Sequence, residues 1–573
     1  MSPRTHIAVI GGGISGLSTA WYLARTAPPN VAITLLEGSK RTGGWLQSDR
    51  ISDPQNPGGS ILLERGPRSL RPQGISGLNT LEMIKLLGLE PKLEPVLKTS
   101  PAAKNRFIYS REKLHMLPSS VTGALTHPLV APKIPRAGLD LVKRASGEED
   151  ESVESFVSRR FGKGFSDDLV SAMVHGIYAG DVSKLSVRST FGILYHLEKE
   201  YGSVVAGLLM GGDAVETPWD ATLKEKLLAD TPEFNEFLKL TSIYSFTDGL
   251  EELSNALEKD LKEGGRVKIQ KDSLVERLDF DHNNKTAKAS DMGSKFICSC
   301  KISANEAEHT NPYVIIQVWV RDHEPLQVNT IISAIPPRKL HGLLPKPHSE
   351  LVHNPSVTVA VVNLVYRANH AHLDSPGFGY LIPRSENSAV NHKGLLGVVF
   401  DSCAIPSQDL GPSRDQKLKL TAMIGGHMFE EVVASQTDGD DSDPLSTVNL
   451  RSDDKSLESF FEKTAIDAVE KHLQIDSPPE ITKVHIHREC IPQYLVGHLQ
   501  RMQALDQTLR DEYEGMLAVT GAGYLGVSVN DCIKNAREVA ESVISKLEEV
   551  DDGEAELVGK QDAVTGLERS WFM

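Results

Sequence analysis

The sequence predicts an α/β protein built from interleaved lobes, and three observations carry that prediction. A strand, a glycine loop, a helix and a second strand open the chain between residues 6 and 36. Another strand, glycine loop and helix run from residue 517 to about residue 547. Between them, helical and strand patterns alternate in stretches that do not divide into consecutive domains.

Composition bounds the class. A chain of 573 residues predicts two or three lobes. A hydrophobic share of 40% with 46 glycines suits a large mixed α/β protein with many tight turns. The net charge of −16, with no basic stripe, argues against nucleic acid as a partner. Five cysteines without a Cys-x-x-Cys pair read as reduced thiols, not as a disulfide framework; Cys298 and Cys300 lie in a polar stretch. Residues 1–5 are too short for a signal or transit peptide. The longest apolar run, residues 357–365, has strand length and falls far short of the ~20 residues of a membrane span. The expected protein does not cross a membrane, although it can lie on one.

Along the chain, residues 6–10 and 31–36 read as buried strands flanking a helix from Ile14 to about Ala27, stopped by Pro28 and Pro29. Residues 100–240 are mostly helical, with apolar residues at helical spacing over 155–160, 167–175 and 223–240. Strand patterns return at 266–270, 328–335, 357–366, 395–400 and 420–425. Two polar inserts, 281–311 and 436–455, lack any periodicity that could build a core and are expected to be exposed loops or disordered. Residues 548–573 read as a mobile acidic tail.

The first glycine loop is Gly11-Gly12-Gly13-Ile14-Ser15-Gly16. Gly11 permits the turn out of the strand, Gly13 leaves room for a pyrophosphate, and Gly16 lets the helix approach the sheet. The helix N-terminus then offers free N–H groups and positive dipole to phosphates. Glu37, at the end of the next strand and followed by Gly38, is placed to accept hydrogen bonds from ribose hydroxyls. NAD and FAD both satisfy this pattern. Arg41-Thr42-Gly43-Gly44-Trp45 decides between them, because Arg-x-Gly-Gly at this point resembles the second dinucleotide motif of amine-oxidase-type flavoproteins. Arg41 would add positive charge near the diphosphate.

The second glycine loop, Gly521-Ala522-Gly523-Tyr524-Leu525-Gly526, precedes a helix from about Val529 to Leu547. No second mononucleotide half follows it. It therefore reads as a loop and helix N-terminus facing the flavin ring, where negative charge develops on reduction.

With these motifs in view, the chain resembles the oxygen-dependent protoporphyrinogen oxidases of mitochondrial type, within the amine-oxidase-like FAD superfamily. The matching interior stretches are Glu64-Arg65-Gly66-Pro67-Arg68-Ser69, residues 103–107, 176–181, 332–336, 359–364, 377–381 and 490–494, and Gly526-Val527-Ser528-Val529-Asn530-Asp531. The resemblance implies an FAD-binding Rossmann-like domain (1–60, 243–338, 505–550), interleaved with a mixed β-sheet substrate domain (61–98, 339–504). It also implies a helical membrane-associated lobe (99–242), leaving 551–573 as the tail. The implied reaction is the six-electron oxidation of protoporphyrinogen IX to protoporphyrin IX, with O2 as acceptor and hydrogen peroxide as product, in haem biosynthesis. Arg106 is implied to pair with a substrate propionate. Gly176 is implied as a cavity glycine, Phe378 and Leu381 as residues that sandwich the macrocycle, and Met423 as a further wall. The FAD contacts implied are Gly11–Gly16, Glu37, Gly38, Arg41, Gly44, Trp45, Gly66–Ser69, Val275, Ala522 and Val527–Val529. A homodimer peripheral to the inner mitochondrial membrane is the implied setting. No general base is nominated, and no metal is expected.

His485 and His487, two apart on a strand, share a face and read as a structural pair. Residues 114–144 mix apolar residues with Lys133, Arg136, Lys143 and Arg144 and could meet anionic lipid. Asp248 and Gly249 replace a Gly-Gly turn common in related flavoproteins and are expected to keep its geometry. The competing readings are an amine oxidase or carotenoid desaturase, and a non-enzymatic escort protein of the same fold.

Overall fold

The structure, a computed structural model, describes residues 5–143, 145–212, 217–280, 316–371, 373–386, 394–435, 454–551 and 563–573. Strands Thr5–Ile10 and Val31–Leu36 lie parallel and in register from Thr5 opposite Val31 to Ile10 opposite Leu36. Thr330–Ser333 and Leu517–Val519 extend the sheet on one side and Val267–Gln270 on the other, giving five parallel strands. Side chains alternate between the faces. Ile7 and Val9 pack under helices Ile14–Thr26, Gly74–Leu86, Glu251–Gly264 and Val529–Asp551. Ala8 and Ile10 pack beneath Pro337–Leu343 and His498–Tyr513. Burial on both faces explains why the first strand reads as an unbroken apolar run.

The second body is a mixed seven-stranded sheet in the order Ile481–Pro492, Ser356–Arg367, Lys417–Gly426, Leu395–Val399, Gly379–Leu381, Phe107–Ser110, Lys113–Met116. The apolar run at 357–365 is therefore an inner strand. Its Ala360, Val362 and Leu364 pack with the side chains of helix Asp454–Leu473, while Val359 and Val361 face the other way with Leu396 and Met423. The helical lobe has its own core around Phe156, Val174, Leu197 and Val204. Arg384 ties it to the large sheet through ion pairs to Glu154 and Asp167.

The lobes divide differently from the expected boundaries. Leu70, Leu81, Met83, Ile84 and Leu89 pack into the core of the parallel sheet, not with the substrate domain, and so do Leu340 and Leu351 on the opposite face. The hairpin Phe107–Met116 belongs to the seven-stranded sheet and not to the helical lobe. The helix expected over 223–240 is two helices, Pro218–Asp230 and Phe234–Leu240, because Pro232 has no N–H to continue the ladder.

The end of the expected mobile tail is docked. Val519 N–H donates to the Thr565 carbonyl (2.8 Å), Trp571 Nε1 donates to Asp506 (2.9 Å), and Arg569 pairs with Asp220 (3.0 Å). Thr565 and Leu567 are fully buried. Their apolar and hydrogen-bonded contacts outweigh the acidic composition that suggested mobility. The insert 281–311 and residues 436–453 of the other lie outside the described residues, and Lys455 already stands in helix Asp454–Leu473.

Of the basic residues expected to meet lipid, Arg136 is exposed, whereas Lys133 and Lys143 have partners within the protein. Lys133 pairs with Asp168 (2.8 Å), and Lys143 Nζ donates to the Arg160 carbonyl (2.8 Å); Arg144 lies outside the described residues. Among the described residues no helix is long and apolar enough to cross a membrane.

Candidate active site

The two glycine loops, about five hundred residues apart in sequence, meet at the C-terminal ends of strands Thr5–Ile10 and Leu517–Val519 of the parallel sheet. A Cβ on Gly521 would lie 3.6 Å from Ser15 Oγ and 3.8 Å from the Ala334 carbonyl oxygen. At the first loop, Gly11 has φ +101°, a conformation side chains resist. A Cβ on Gly13 would meet only Gly44 Cα, at 3.9 Å, so the approach to the helix is open. Gly13 caps helix Ile14–Thr26 without a side-chain hydrogen bond. The N–H groups of its first turn thus face a space with no side chain to satisfy them.

Glu37 holds this loop in shape. One carboxylate oxygen accepts from Gly12 N–H (2.7 Å) and the other from Ser39 N–H (2.8 Å). Ser273 N–H donates to the Glu37 carbonyl, which brings the segment leading to Val275 beside Glu37 and Gly38. Arg41 has a role the sequence does not reveal. It donates to the carbonyls of Gly44 (2.8 Å) and Leu46 (2.7 Å) and pairs with Glu251 (3.0 Å). The guanidinium shapes the Gly43-Gly44 loop, and Glu251 offsets the charge expected at the diphosphate. Trp45 lies at the rim, its ring edge-on to His487 at 5.2 Å. His487 in turn bonds the Arg65 carbonyl (2.6 Å).

The second loop is held by residues sequence reasoning missed. Tyr494 Oη donates to the Ala522 carbonyl (2.5 Å) and accepts from Gly526 N–H (2.9 Å). His498 Nε2 bonds the Tyr524 carbonyl (2.6 Å) and its ring stacks on Tyr494 at 4.1 Å. Ser528 Oγ accepts from Asp531 N–H (3.1 Å) and so caps the following helix, on which Val529 packs into the core of the parallel sheet; Val527 packs against the helical lobe. The run 490–494 stood out only as part of the resemblance; nothing local marks a tyrosine as a loop clamp.

A cavity of mixed polar and apolar lining lies between this region and the large sheet. Glu64, Arg68, Ser69, Asn363, Phe378 and Asp401 are among its lining residues. Arg68 pairs with Asp401 (2.6 Å), yet among the described residues its second terminal nitrogen is buried without a partner, as is Asn363 Oδ1. A bare donor and a bare acceptor in one cavity fit a polar guest or water. Burial pushes the Glu64 carboxyl up to about 7.

Three of the residues expected on the substrate side, Met423, Leu381 and Gly176, fall in one row. Met423, Gly397 and Leu381 are cross-strand partners in a row over three strands. A Cβ on Gly176 would lie 2.9 Å from Leu381 Cδ2, so the row ends against helix Ser171–Tyr178. Gly397 was missed; its signal was a lone glycine in an apolar strand, which marks close approach. The next exposed face of that helix carries Met173 and Ile177. Arg106 lies over the Phe378 ring, its guanidinium carbon 5.7 Å from the ring centre. Arg106 thus lies beside the cavity that Phe378 and Arg68 both line.

Two imidazoles near these elements are buried, His175 and His498. Burial holds His175 and His498 down at about 4 and lowers His427, which stacks on His175 at 5.1 Å. A group depressed on folding stays neutral while the unfolded chain takes up its proton near 6.5. Stability should therefore be whole above about pH 6.5 and fall progressively toward about pH 4. Urea midpoints measured across that window check it; a midpoint that does not move would contradict neutral burial.

These elements define the class: the chain belongs to the flavin-containing amine oxidoreductase family, whose pattern matches residues 14–544. Within it, the chain falls with the protoporphyrinogen oxidases. It is 35% identical to that of Schizosaccharomyces pombe and 34% identical to that of Homo sapiens, each time covering 94% of this chain and 98% of the relative. The crystal structure of an Exiguobacterium sp. 255-15 protein, 20% identical, superposes with a TM-score of 0.67 over 95% of this chain and all of that one, which shows the shared fold. The cofactor is FAD. The open glycine cradle, with Glu37 holding the loop in shape, and the N–H groups of the first helical turn, which no side chain caps, fit it.

Proposed function

We propose that this chain oxidises protoporphyrinogen IX to protoporphyrin IX, with dioxygen as the electron acceptor. One observation carries the reading: a similarity to protoporphyrinogen oxidases of 34–35% identity that spans 94% of the chain. The redox chemistry is supplied by FAD when bound: a hydride leaves the macrocycle in each of three two-electron rounds, and dioxygen is reduced to hydrogen peroxide.

The residues would divide the remaining work. Gly11–Gly16, with Glu37, Gly38 and Gly44, would hold the dinucleotide, and Gly66–Ser69 would close over its reactive end. The row Met423, Gly397, Leu381 with Gly176 opposite offers a flat apolar slot for a macrocycle, and Phe378 a ring face at its end. Arg106 would pair with a propionate. The helix N-terminus after Ser528 would stabilise negative charge developing on the reduced ring. No side chain is assigned as a general base.

Mixing the purified yellow protein with protoporphyrinogen without oxygen should bleach the flavin absorbance, and air should restore it. Bleaching by amines and not by the porphyrinogen would overturn the reading in favour of an amine oxidase.

Attachment to a membrane face is part of the same proposal. The helical lobe exposes Leu125, Leu139, Leu141, Val142, Leu208, Leu209 and Met210, an apolar surface suited to lipid. The inner mitochondrial membrane and a homodimeric state are proposed on the resemblance. Failure to co-sediment with anionic vesicles would remove the membrane element.

A further inference from the structure

We propose that Arg71 is a second carboxylate anchor for the substrate, so that a pair of arginines grips the acidic edge of the macrocycle. The proposal rests on the porphyrinogen reading and deepens it.

Both residues reach solvent, Arg106 with its guanidinium partly covered, and among the described residues neither side chain has a hydrogen-bond or ion-pair partner. That is uncommon in a chain with 77 acidic residues against 61 basic ones. The neighbouring arginines Arg41, Arg50, Arg65 and Arg68 all pair with carboxylates. Arg71 and Arg106 are also close enough to feel each other: after burial, the charge of Arg71 is what makes Arg106 hold its proton less tightly. Two unneutralised cations held together repel, and that cost is recovered when an anion arrives between them.

The backbone at Arg71 is fixed for such a task. Leu70 exchanges backbone hydrogen bonds with Tyr244 (2.8 and 2.9 Å), and the Arg71 carbonyl accepts from Asn530 Nδ2 (2.8 Å). Asn530 lies in the first turn of helix Val529–Asp551, on the flavin-side loop. Arg68 and Ser69, just before, line the cavity that Phe378 also lines, and Phe378 carries Arg106 over its ring. Arg71 is thus tied to the cofactor loop from one side, as Arg106 is to the substrate wall from the other. Protoporphyrinogen carries its two propionates on one edge, so two cations on one rim would fix which edge stays outside. Guanidinium geometry suits this role, since each can take a carboxylate through two N–H bonds.

The test compares Arg71→Gln and Arg71→Lys with the unaltered holoenzyme, on protoporphyrinogen and on its dimethyl ester. Arg71→Gln should raise KM for the diacid about tenfold with little change in kcat or flavin content. Arg71→Lys should recover part of the loss, and the ester should be handled alike by all three. An unchanged KM overturns the proposal, as does an equal loss on the ester, which would mean a structural role. A defect seen only with anionic vesicles and absent in neutral detergent would assign the guanidinium to a lipid headgroup and overturn it as well. If the unaltered enzyme oxidises no porphyrinogen, the parent reading fails and takes this one with it; if it does and Arg71→Gln is indifferent, Arg71 alone is removed.

Discussion

Replacing Gly16 with valine is expected to give a protein without flavin. A Cβ at this position overlaps the Gly11 carbonyl oxygen and comes within 2.9 Å of the Gly11 carbonyl carbon. Both atoms are backbone, so no rotamer change relieves the overlap. The helix must move away from the sheet or the glycine loop must open. Either displaces the N–H groups of Ile14 and Ser15 from the phosphate path, and an anion site at a helix terminus depends on their aim. Ordinary overpacking of a core costs about 1–3 kcal/mol, and a backbone overlap exceeds that. Nor can the structure yield cheaply on the far side, where Gly11 lies against Ile335 and Ala334. Flavin absorbance per chain, with thermal unfolding alongside, measures the outcome. A yellow, fully loaded Gly16→Val protein would show that the loop does not hold the dinucleotide.

Arg106→Ala should leave the flavin in place and cost the substrate. The guanidinium has no partner among the described residues and lies over Phe378 beside the cavity. Removing it leaves no buried carboxylate unpaired, so the fold has little to lose. A charge-assisted hydrogen bond to a carboxylate contributes about 1.5–3 kcal/mol, which corresponds to a fall of roughly 10- to 150-fold in kcat/KM. The loss should fall mainly on KM, because a propionate distant from the reacting carbon is held equally before and during hydride loss. Unchanged steady-state kinetics would take Arg106 out of the site. A parallel loss of flavin would mean that it supports the fold.

The lobes show where sequence stops being sufficient. Strands 6–10 and 31–36, the helix between them and the glycine loops were legible, because turn geometry and burial pattern are written in neighbouring residues. The apolar run at 357–365 declared a strand for the same reason, and its place inside the sheet was decided by partners at 417–426 and 481–492. Residues 70–89 and the hairpin at 107–116 were put in the wrong lobes, since nothing in an amphipathic helix or a short strand names the surface it will cover. The acidic composition of the tail hid the few residues, Thr565, Leu567 and Trp571, that dock it.

By itself, then, the sequence determined the class of cofactor and the local elements of the two glycine loops, and it offered the wall and anchor residues as expectations from a resemblance. Only the tertiary structure decided that Arg41 serves the Gly43-Gly44 loop, that Tyr494 and His498 clamp the second glycine loop, and that Arg71 and Arg106 influence each other with no counter-ion among the described residues. The reason is distance along the chain. A turn or a helix is set by residues three or four apart, whereas a hydrogen bond from Tyr494 to Gly526 or a repulsion between two arginines exists only once remote segments have been brought within a few ångströms.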